Sequence, residues 1–520
     1  MKKGYLAIIL HAHLPYIRHL SDGDLEEEWL YEAIIETYIP LLNLLENLEA
    51  ERVPVRIGIS LTPPLLNMLE DKTLLTRFKK RLEVYLELAD KEVKRTERTY
   101  PFNETAQLYK NNLLNVKAKF EFFQGDLIAP FKHFQSVGMV ELLASAATHG
   151  YLPLMDLTPN CQKAQIVQGV SEYKRFFGVD PKGFWLPECG FSPGIDTFLA
   201  ANGLRYFITD THALLHANIK PRYANYAPIY TPGKVAAFGR DQESSKQVWS
   251  ATEGYPGDYD YRDFYRDIGF DLDYEYLHFI LEPVGSRKMT GFKYYKITSS
   301  SDYKEPYYPA TARAKAKLHA ANFVFNREAQ VNYLATITDR PPILVAPYDA
   351  ELFGHWWFEG PIFLEEVLRL AANSSVLELV TPKDYLEYHP TNQIAIPSAS
   401  SWGYNGYNEV WLEGSNDWIY PHLHAAGWHL ANLATQKDLP QSKQRRLNQA
   451  ARELLLAESS DWAFIMKTGT FADYARKRTK EHLANFWQLT TNLDQPLNDL
   501  VEKLEKLNPI FPEIDYRIFA

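Results

Sequence analysis

Short apolar runs recur along the chain at 5–10, 55–60, 183–186, 206–209 and 342–346, and each stops at polar or bulky aromatic residues. Runs of this length, bounded by turn formers, predict buried β-strands. Between them lie longer stretches with helical spacing of apolar positions, such as 25–49 and 161–177. A strand followed by a helix, repeated, predicts an α/β fold with parallel strands and helical crossovers. Chemistry in such folds gathers at the carboxyl ends of the strands. This pattern puts His11, His13, Thr62, Glu188, Asp210 and Asp349 there.

The pattern changes in three places. Residues 71–135 are rich in charge and helix formers with a polar break at Tyr100-Pro101-Phe102-Asn103, which predicts a helical insertion. Residues 231–310, and above all the Tyr-, Asp- and Gly-rich part after 240, lack a clean period and predict a long ordered loop region beside the site. Beyond about 415 the chain again reads as helices, for example 442–458 and 470–490. The expected organisation is a catalytic unit over 1–400 and a helical unit over 401–520.

The amino end has two lysines and an apolar run, as a secretory signal would. The run is short, ends at His11, and is followed by Leu14-Pro15-Tyr16 rather than a small-residue cleavage site, so a first buried strand is expected instead. No stretch approaches the ~20 apolar residues of a membrane helix. A net charge of -10 argues against a nucleic-acid partner, because such binding depends on clustered Lys and Arg. Only Cys161 and Cys189 are present, too few for a disulfide framework or a cysteine metal site, and a cytoplasmic setting follows. Aromatic residues make up 14% of the chain, which suits both a large core and a surface that stacks on sugar rings.

Candidate chemistry sits in four segments. His11-Ala12-His13-Leu14-Pro15 puts two imidazoles on one side of a strand end, where they can bind a metal, bond a sugar hydroxyl or serve structure. His149 is the only obvious third metal ligand, and it is remote in sequence. In the second segment, Phe184-Trp185-Leu186-Pro187-Glu188-Cys189-Gly190, an apolar strand delivers a carboxylate, with Gly190 allowing a tight turn and Ser192-Pro193 opening a helix. An exposed loop glutamate is the alternative, but the apolar neighbours of Glu188 argue against it. The third segment, from Ile343 to Trp357, repeats the design with Asp349, and its apolar surroundings raise a carboxyl pKa as a general acid requires. His355, Trp356 and Trp357 fit either the site or the core. In the fourth, Trp402 and Trp411 stand among Gly, Asn and Tyr, as stacking platforms or as packing between the two units. Two carboxylates at strand ends, each in an aromatic wall, is the arrangement that glycoside hydrolysis uses.

Taken together, these segments resemble glycoside hydrolase family 57, and within it the α-1,4-glucan branching enzymes of about this length. The resemblance is carried by His11 to Pro15, Gly58-Ile59-Ser60-Leu61-Thr62-Pro63, Trp185-Leu186-Pro187-Glu188, Tyr348-Asp349 through Gly354-His355-Trp356, and Ser401-Trp402-Gly403 running on to Trp411. Ala147-Thr148-His149-Gly150-Tyr151 and Ser460-Asp461-Trp462 also look like family segments. The resemblance implies a (β/α)7 barrel with a helical insertion, a helical C-terminal domain that closes the cleft, and no cofactor; no metal is expected at His11 and His13, which lack a nearby ligand set in the sequence. It implies Glu188 as nucleophile and Asp349 as acid/base, with Trp402, Asp461 and Arg262 touching glucan and His11, His13, His149 and His355 lining the subsite of the cleaved glucose. Trp356 and Trp411 join the expected substrate contacts. The implied activity is cleavage of α-1,4 linkages and formation of α-1,6 linkages, with side hydrolysis. An amylase or 4-α-glucanotransferase using the same carboxylates is the nearest rival; a metal-dependent polysaccharide deacetylase and a non-catalytic glucan binder are the rivals of other classes. One departure stands out: branching enzymes of the family carry a tyrosine at the tip of a loop over the site, and the corresponding segment, Thr231 to Arg240, has none. Tyr230, or a residue in 255–261, is left to take its place.

Overall fold

The computed structural model describes residues 2–20, 25–250, 252–281, 285–298 and 303–520. Parts of the predicted 231–310 loop region, at 251, 282–284 and 299–302, therefore lie outside the described residues. Seven parallel strands form a curled sheet in the order β7-β5-β4-β3-β2-β1-β8. They are β1 (Gly4–Ala12), β2 (Ile57–Leu61), β3 (Val140–Ser145), β4 (Gly183–Trp185), β5 (Tyr206–Thr209), β7 (Ala236–Gly239) and β8 (Ile343–Asp349). A two-residue strand, β6 (Ile229–Tyr230), pairs antiparallel with β7, and β9 (Leu377–Leu379) pairs with β1. The two ends of the curled sheet meet through the Asp241 N–H, which donates to the Val345 carbonyl at 2.7 Å just past β7. The fold is thus the expected α/β barrel of seven parallel strands.

Every residue of β2, β4 and β5 is buried, and all but one in each of β1, β3 and β8, as expected for strands covered on both faces. β3 was the strand hardest to see. Its sequence carries Glu141, and the interior makes the charge on that carboxyl less favourable: burial pushes its pKa up to about 7.

Residues 71–136 fold mainly as helices Lys72–Thr96, Phe102–Phe122 and Ala129–Ser136 packed on the barrel. The C-terminal helices run Ile419–Ala434, Gln441–Ala457, Ser460–Thr468, Ala472–Thr490 and Asn498–Leu507. Residues 401–418 form the bridge between barrel and helices, and the Ser460 N–H donates to the His149 carbonyl at 3.1 Å. The helical unit therefore reaches the carboxyl ends of the strands. No helix among the described residues is long and apolar enough to cross a membrane.

The segment expected as a loop over the site is something else. Residues 231–235 are the tight turn of the β6–β7 hairpin, closed by the Thr231 N–H donating to the Val235 carbonyl at 2.9 Å. Ala236 pairs with Tyr206, the first residue of β5, so the turn lies at the amino ends of these strands, away from the catalytic rim. The Tyr230 hydroxyl donates to the Pro390 carbonyl at 3.2 Å, so Tyr230 is not the missing loop tyrosine.

Candidate active site

Strand register alone brings the first groups together. His11 on β1 pairs with Asp349 on β8 and with Ser60 on β2. His13, two residues on, points to the same side. Trp185, the last residue of β4, stacks on His11 with ring centroids 4.4 Å apart and planes 11° apart. His149 follows β3 and stacks on His13 at 3.9 Å, and its Nε2 lies 2.9 Å from Nε2 of His11. Burial, followed by the neighbouring imidazoles, holds His11 and His149 well below the usual histidine range, so both are neutral near pH 7.

Glu188 follows β4 in a turn where it and Cys189 adopt left-handed backbone, φ 60° and 50°. For non-glycine residues this costs about 1 to 2 kcal/mol each. The surroundings hold it there: the Trp402 N–H donates to the Glu188 carbonyl at 3.0 Å, and Phe191 and Ser400 exchange backbone hydrogen bonds at 2.9 and 3.0 Å. The strained turn aims the carboxylate into the rim, where Trp402 Nε1 donates to Oε2 at 2.7 Å and His149 Nδ1 lies 3.8 Å from Oε1.

Glu188 and Asp349 differ in a way that separates their roles. Burial pushes Glu188 up to about 7, while the Trp402 indole bond works against that rise by favouring the ionised form. Asp349 is raised well above the carboxylate range by burial, then by the charges of Glu351 and Glu188, with no opposing hydrogen bond among the described residues. When this pair holds one proton, Asp349 keeps it. Glu351 was not singled out in the sequence, although it stands two residues beyond Asp349. It accepts from the Tyr38 hydroxyl at 2.6 Å and the His13 N–H at 3.2 Å, and burial pushes it to about 7.

Asp461 arrives from the C-terminal helices. His13 Nε2 lies 3.0 Å from its Oδ2 and His13 Nδ1 lies 2.9 Å from Thr62 Oγ1. Burial lowers His13, but the charge and hydrogen bond of Asp461, with the charges of Glu351 and Glu188, together outweigh it and the net shift is upward. His13, His149 and Asp461 bring ligand atoms within 4.8 Å of one another, close enough to consider a metal. Those atoms already have other uses. His149 faces His11 and Ser460 Oγ through its two nitrogens, and Asp461 accepts from Ser459 at 2.6 Å.

The remaining predicted residues separate. Trp402 packs edge-on to Trp185 at 5.0 Å and beside Trp249 at 5.9 Å, and Trp249 lies 6.3 Å from Trp356. Trp249, at the end of helix Gln242–Trp249, extends this aromatic wall, and no motif marks it in the sequence. Trp356 is 44% exposed and free to receive a ring. Trp411 does not fit a stacking platform: it is 1% exposed, lies against Tyr151 at 4.3 Å, and sits where a Cβ on Gly403 would clash with its ring at 2.7 Å. It packs behind the Trp402 loop. His355 Nδ1 bonds Glu36 at 2.6 Å, and Arg262 stands behind that pair, 3.9 Å from Glu36 and over the Phe358 ring at 4.1 Å. Arg262 lines a cavity of about 370 Å³ between barrel and insertion whose walls do not include Glu188 or Asp349.

Comparison with known proteins gives the family. The family model for glycosyl hydrolase family 57 matches residues 7–397. The chain belongs to that family. A second model, the C-terminal domain of 1,4-α-glucan branching enzyme, matches residues 422–519 of this family-57 chain. A 1,4-α-glucan branching enzyme of Thermococcus kodakarensis is 34% identical, over 98% of this chain and 78% of that protein. Among solved structures, an α-amylase of Thermotoga maritima is 42% identical with a TM-score of 0.94, covering 100% of this chain and 99% of the other. A family-57 branching enzyme of Pyrococcus horikoshii is 32% identical with a TM-score of 0.90, over 100% and 97%.

One consequence concerns Trp402, which the sequence suggested as an acceptor platform. Its indole N–H reaches the carboxylate itself, so its loss is felt before any acceptor binds. Trp402→Phe keeps the ring and removes the donor. Without it Glu188 rises further, so the acid limb of the kcat/KM profile moves to higher pH. Loss of a hydrogen bond to a charged group, about 1.5 to 3 kcal/mol, lowers cleavage by roughly 10- to 150-fold. Transfer and hydrolysis fall together; a change in their ratio alone would restore the acceptor role.

Proposed function

We propose that this family-57 chain is a retaining α-glucan transglycosylase. It cleaves α-1,4 linkages, re-forms them as α-1,6 branches, and releases an appreciable share of chains to water. The observation that carries the reading is the placement of an indole-bonded Glu188 just past β4 and of Asp349 at the end of β8, on one barrel rim. Glu188 attacks the anomeric carbon while Asp349 protonates the departing glycosidic oxygen. Asp349 then takes a proton from the acceptor as that acceptor attacks the glycosyl-enzyme. Retention in two displacements calls for carboxyl groups about 5 to 5.5 Å apart. The close relation to branching enzymes over the whole chain supports the transfer reaction.

A specific observation also favours hydrolysis. The hairpin at 231–235 does not roof the rim, so that segment gives no barrier to water, and the solved structure of an α-amylase is very similar. A sugar acceptor competes with water only through binding and orientation. The wall of Trp249, Trp356 and Trp402 offers faces for it. The partner is thus an α-glucan polymer such as amylose or glycogen, with no part for nucleic acid, and buried, unpaired Cys161 and Cys189 suit a cytoplasmic setting. The histidine and aspartate groups at the rim serve sugar hydroxyls rather than a metal.

The test is incubation with amylose, counting new α-1,6 linkages by proton NMR and new reducing ends by colorimetry. Both products are expected, with rates unchanged after chelator treatment. Reducing ends without branches would make the protein an amylase, and loss of activity with removable zinc would revive the metal reading. In the same assay Trp356→Ala, which removes an exposed ring and leaves the core intact, lowers the ratio of branches to reducing ends about 2- to 13-fold. That is the effect of losing ~0.5 to 1.5 kcal/mol of acceptor stacking.

A further inference from the structure

Outside the catalytic rim, one ionisable group has a bonding pattern that fixes its protonation state. His212 opens the short helix after β5. Its Nδ1 lies 3.0 Å from Asp210 Oδ1 and its Nε2 lies 2.8 Å from the Gly406 carbonyl. A carboxylate and a carbonyl only accept hydrogen bonds, so both ring nitrogens must carry a proton to satisfy them. We propose that His212 is a positioning residue: as an imidazolium it clamps the loop that holds Trp402 against Glu188.

The connection is short. The Gly406 carbonyl also accepts from the Ser401 N–H at 2.8 Å, and Ser401 directly precedes Trp402. Trp402 in turn donates through its backbone N–H to the Glu188 carbonyl and through its indole to the Glu188 carboxylate. Gly406 is shaped for this approach, with φ 83° and a position where a Cβ would come within 2.8 Å of the His212 ring. Charged groups facing His212 among the described residues are Asp210 at the end of β5 and Arg240 just past β7; Arg240 itself bonds Asp210 at 2.5 Å. Tyr407 meets the ring edge-on at 5.3 Å. The Asp210 hydrogen bond favours the charged imidazole and outweighs burial and Arg240, so the pKa lies above the ordinary histidine value. A neutral ring would set a lone pair against one of its two acceptors, and the loop would lose that tie.

This inference rests on Glu188 as the nucleophile, but its test separates the two. In full-length protein with ¹³C-labelled histidine, the His212 resonance is assigned by its absence in His212→Gln. A ring-current shift in Tyr407→Ala assigns it independently if the glutamine variant does not fold. The expected result is an imidazolium at pH 7 that titrates above the buried, neutral His11 and His149. In kcat/KM profiles, His212→Gln loses about tenfold near pH 6 to 7, and the gap from wild type closes as the wild-type ring deprotonates. A neutral His212 at pH 7, or an equal loss at every pH, overturns the clamp. If instead Glu188→Gln remains active, the reading of the nucleophile fails while the histidine titration still reports on the clamp.

Discussion

Glu188→Gln lowers kcat on amylose by about 10⁴- to 10⁶-fold, the loss expected when a covalent nucleophile is removed and only binding and the remaining polar groups act. The substitution isolates chemistry from folding. Glutamine has the same shape, accepts the Trp402 indole hydrogen bond through its amide oxygen, and meets the same left-handed backbone as glutamate. Burial already disfavours the charge on Glu188, so a neutral amide costs no solvation and Tm should hold or rise slightly. Branching and hydrolysis are expected to vanish together, because in the proposed mechanism both pass through the same glycosyl-enzyme. Near wild-type turnover of both would show that another group attacks the sugar.

Asp349→Asn has an uneven effect. On amylose, whose leaving hydroxyl needs a proton, the rate falls by about 10²- to 10⁴-fold, the usual contribution of a general acid. On an aryl maltooligoside with a good leaving group the first step needs little acid. Cleavage therefore begins quickly, then stalls because no base activates the acceptor. A burst of the aryl group followed by slow turnover is the expected record, and added azide should speed the second phase by attacking without base assistance. The pH profile changes as well. The proposed roles require ionised Glu188 and protonated Asp349, so wild-type kcat/KM is expected to fall at low pH as the pair takes up a second proton and at high pH as Asp349 loses its own. Asp349 is raised well above the carboxylate range, so the alkaline limb lies far from an ordinary carboxyl titration, and Asp349→Asn loses the contribution of that group. An equal loss on both substrates would remove Asp349 from the acid/base role.

Much of this site could be read from the chain because strand ends announce themselves. β1, β4 and β8 are apolar runs that stop at His11, Glu188 and Asp349, and parallel pairing in register does the rest. The parts that stayed hidden depend on tertiary contact. Trp402 was visible as a tryptophan in a polar loop, but its bond to Glu188 joins residues 214 apart, and spacing carries no trace of it. Trp411 looks the same in sequence and is buried against Tyr151, so composition alone cannot tell a platform from a brace. Residues 231–235 read as a loop because Thr-Pro-Gly-Lys is turn chemistry; only the pairing of Ala236 with Tyr206 shows which end of the barrel the turn occupies. β3 does not show as an apolar run because Glu141 interrupts it, and burial raises that carboxyl to about 7.

The double displacement itself is most directly tested by trapping its intermediate. Asp349→Asn forms the glycosyl-enzyme from an activated maltooligosyl fluoride but deglycosylates slowly, so intact-protein and peptide mass spectra should show one maltooligosyl adduct, placed on the peptide containing Glu188. An adduct on another residue would contradict the assignment of the nucleophile. No adduct, together with release of the inverted β-anomer by the wild-type protein, would contradict the retaining mechanism.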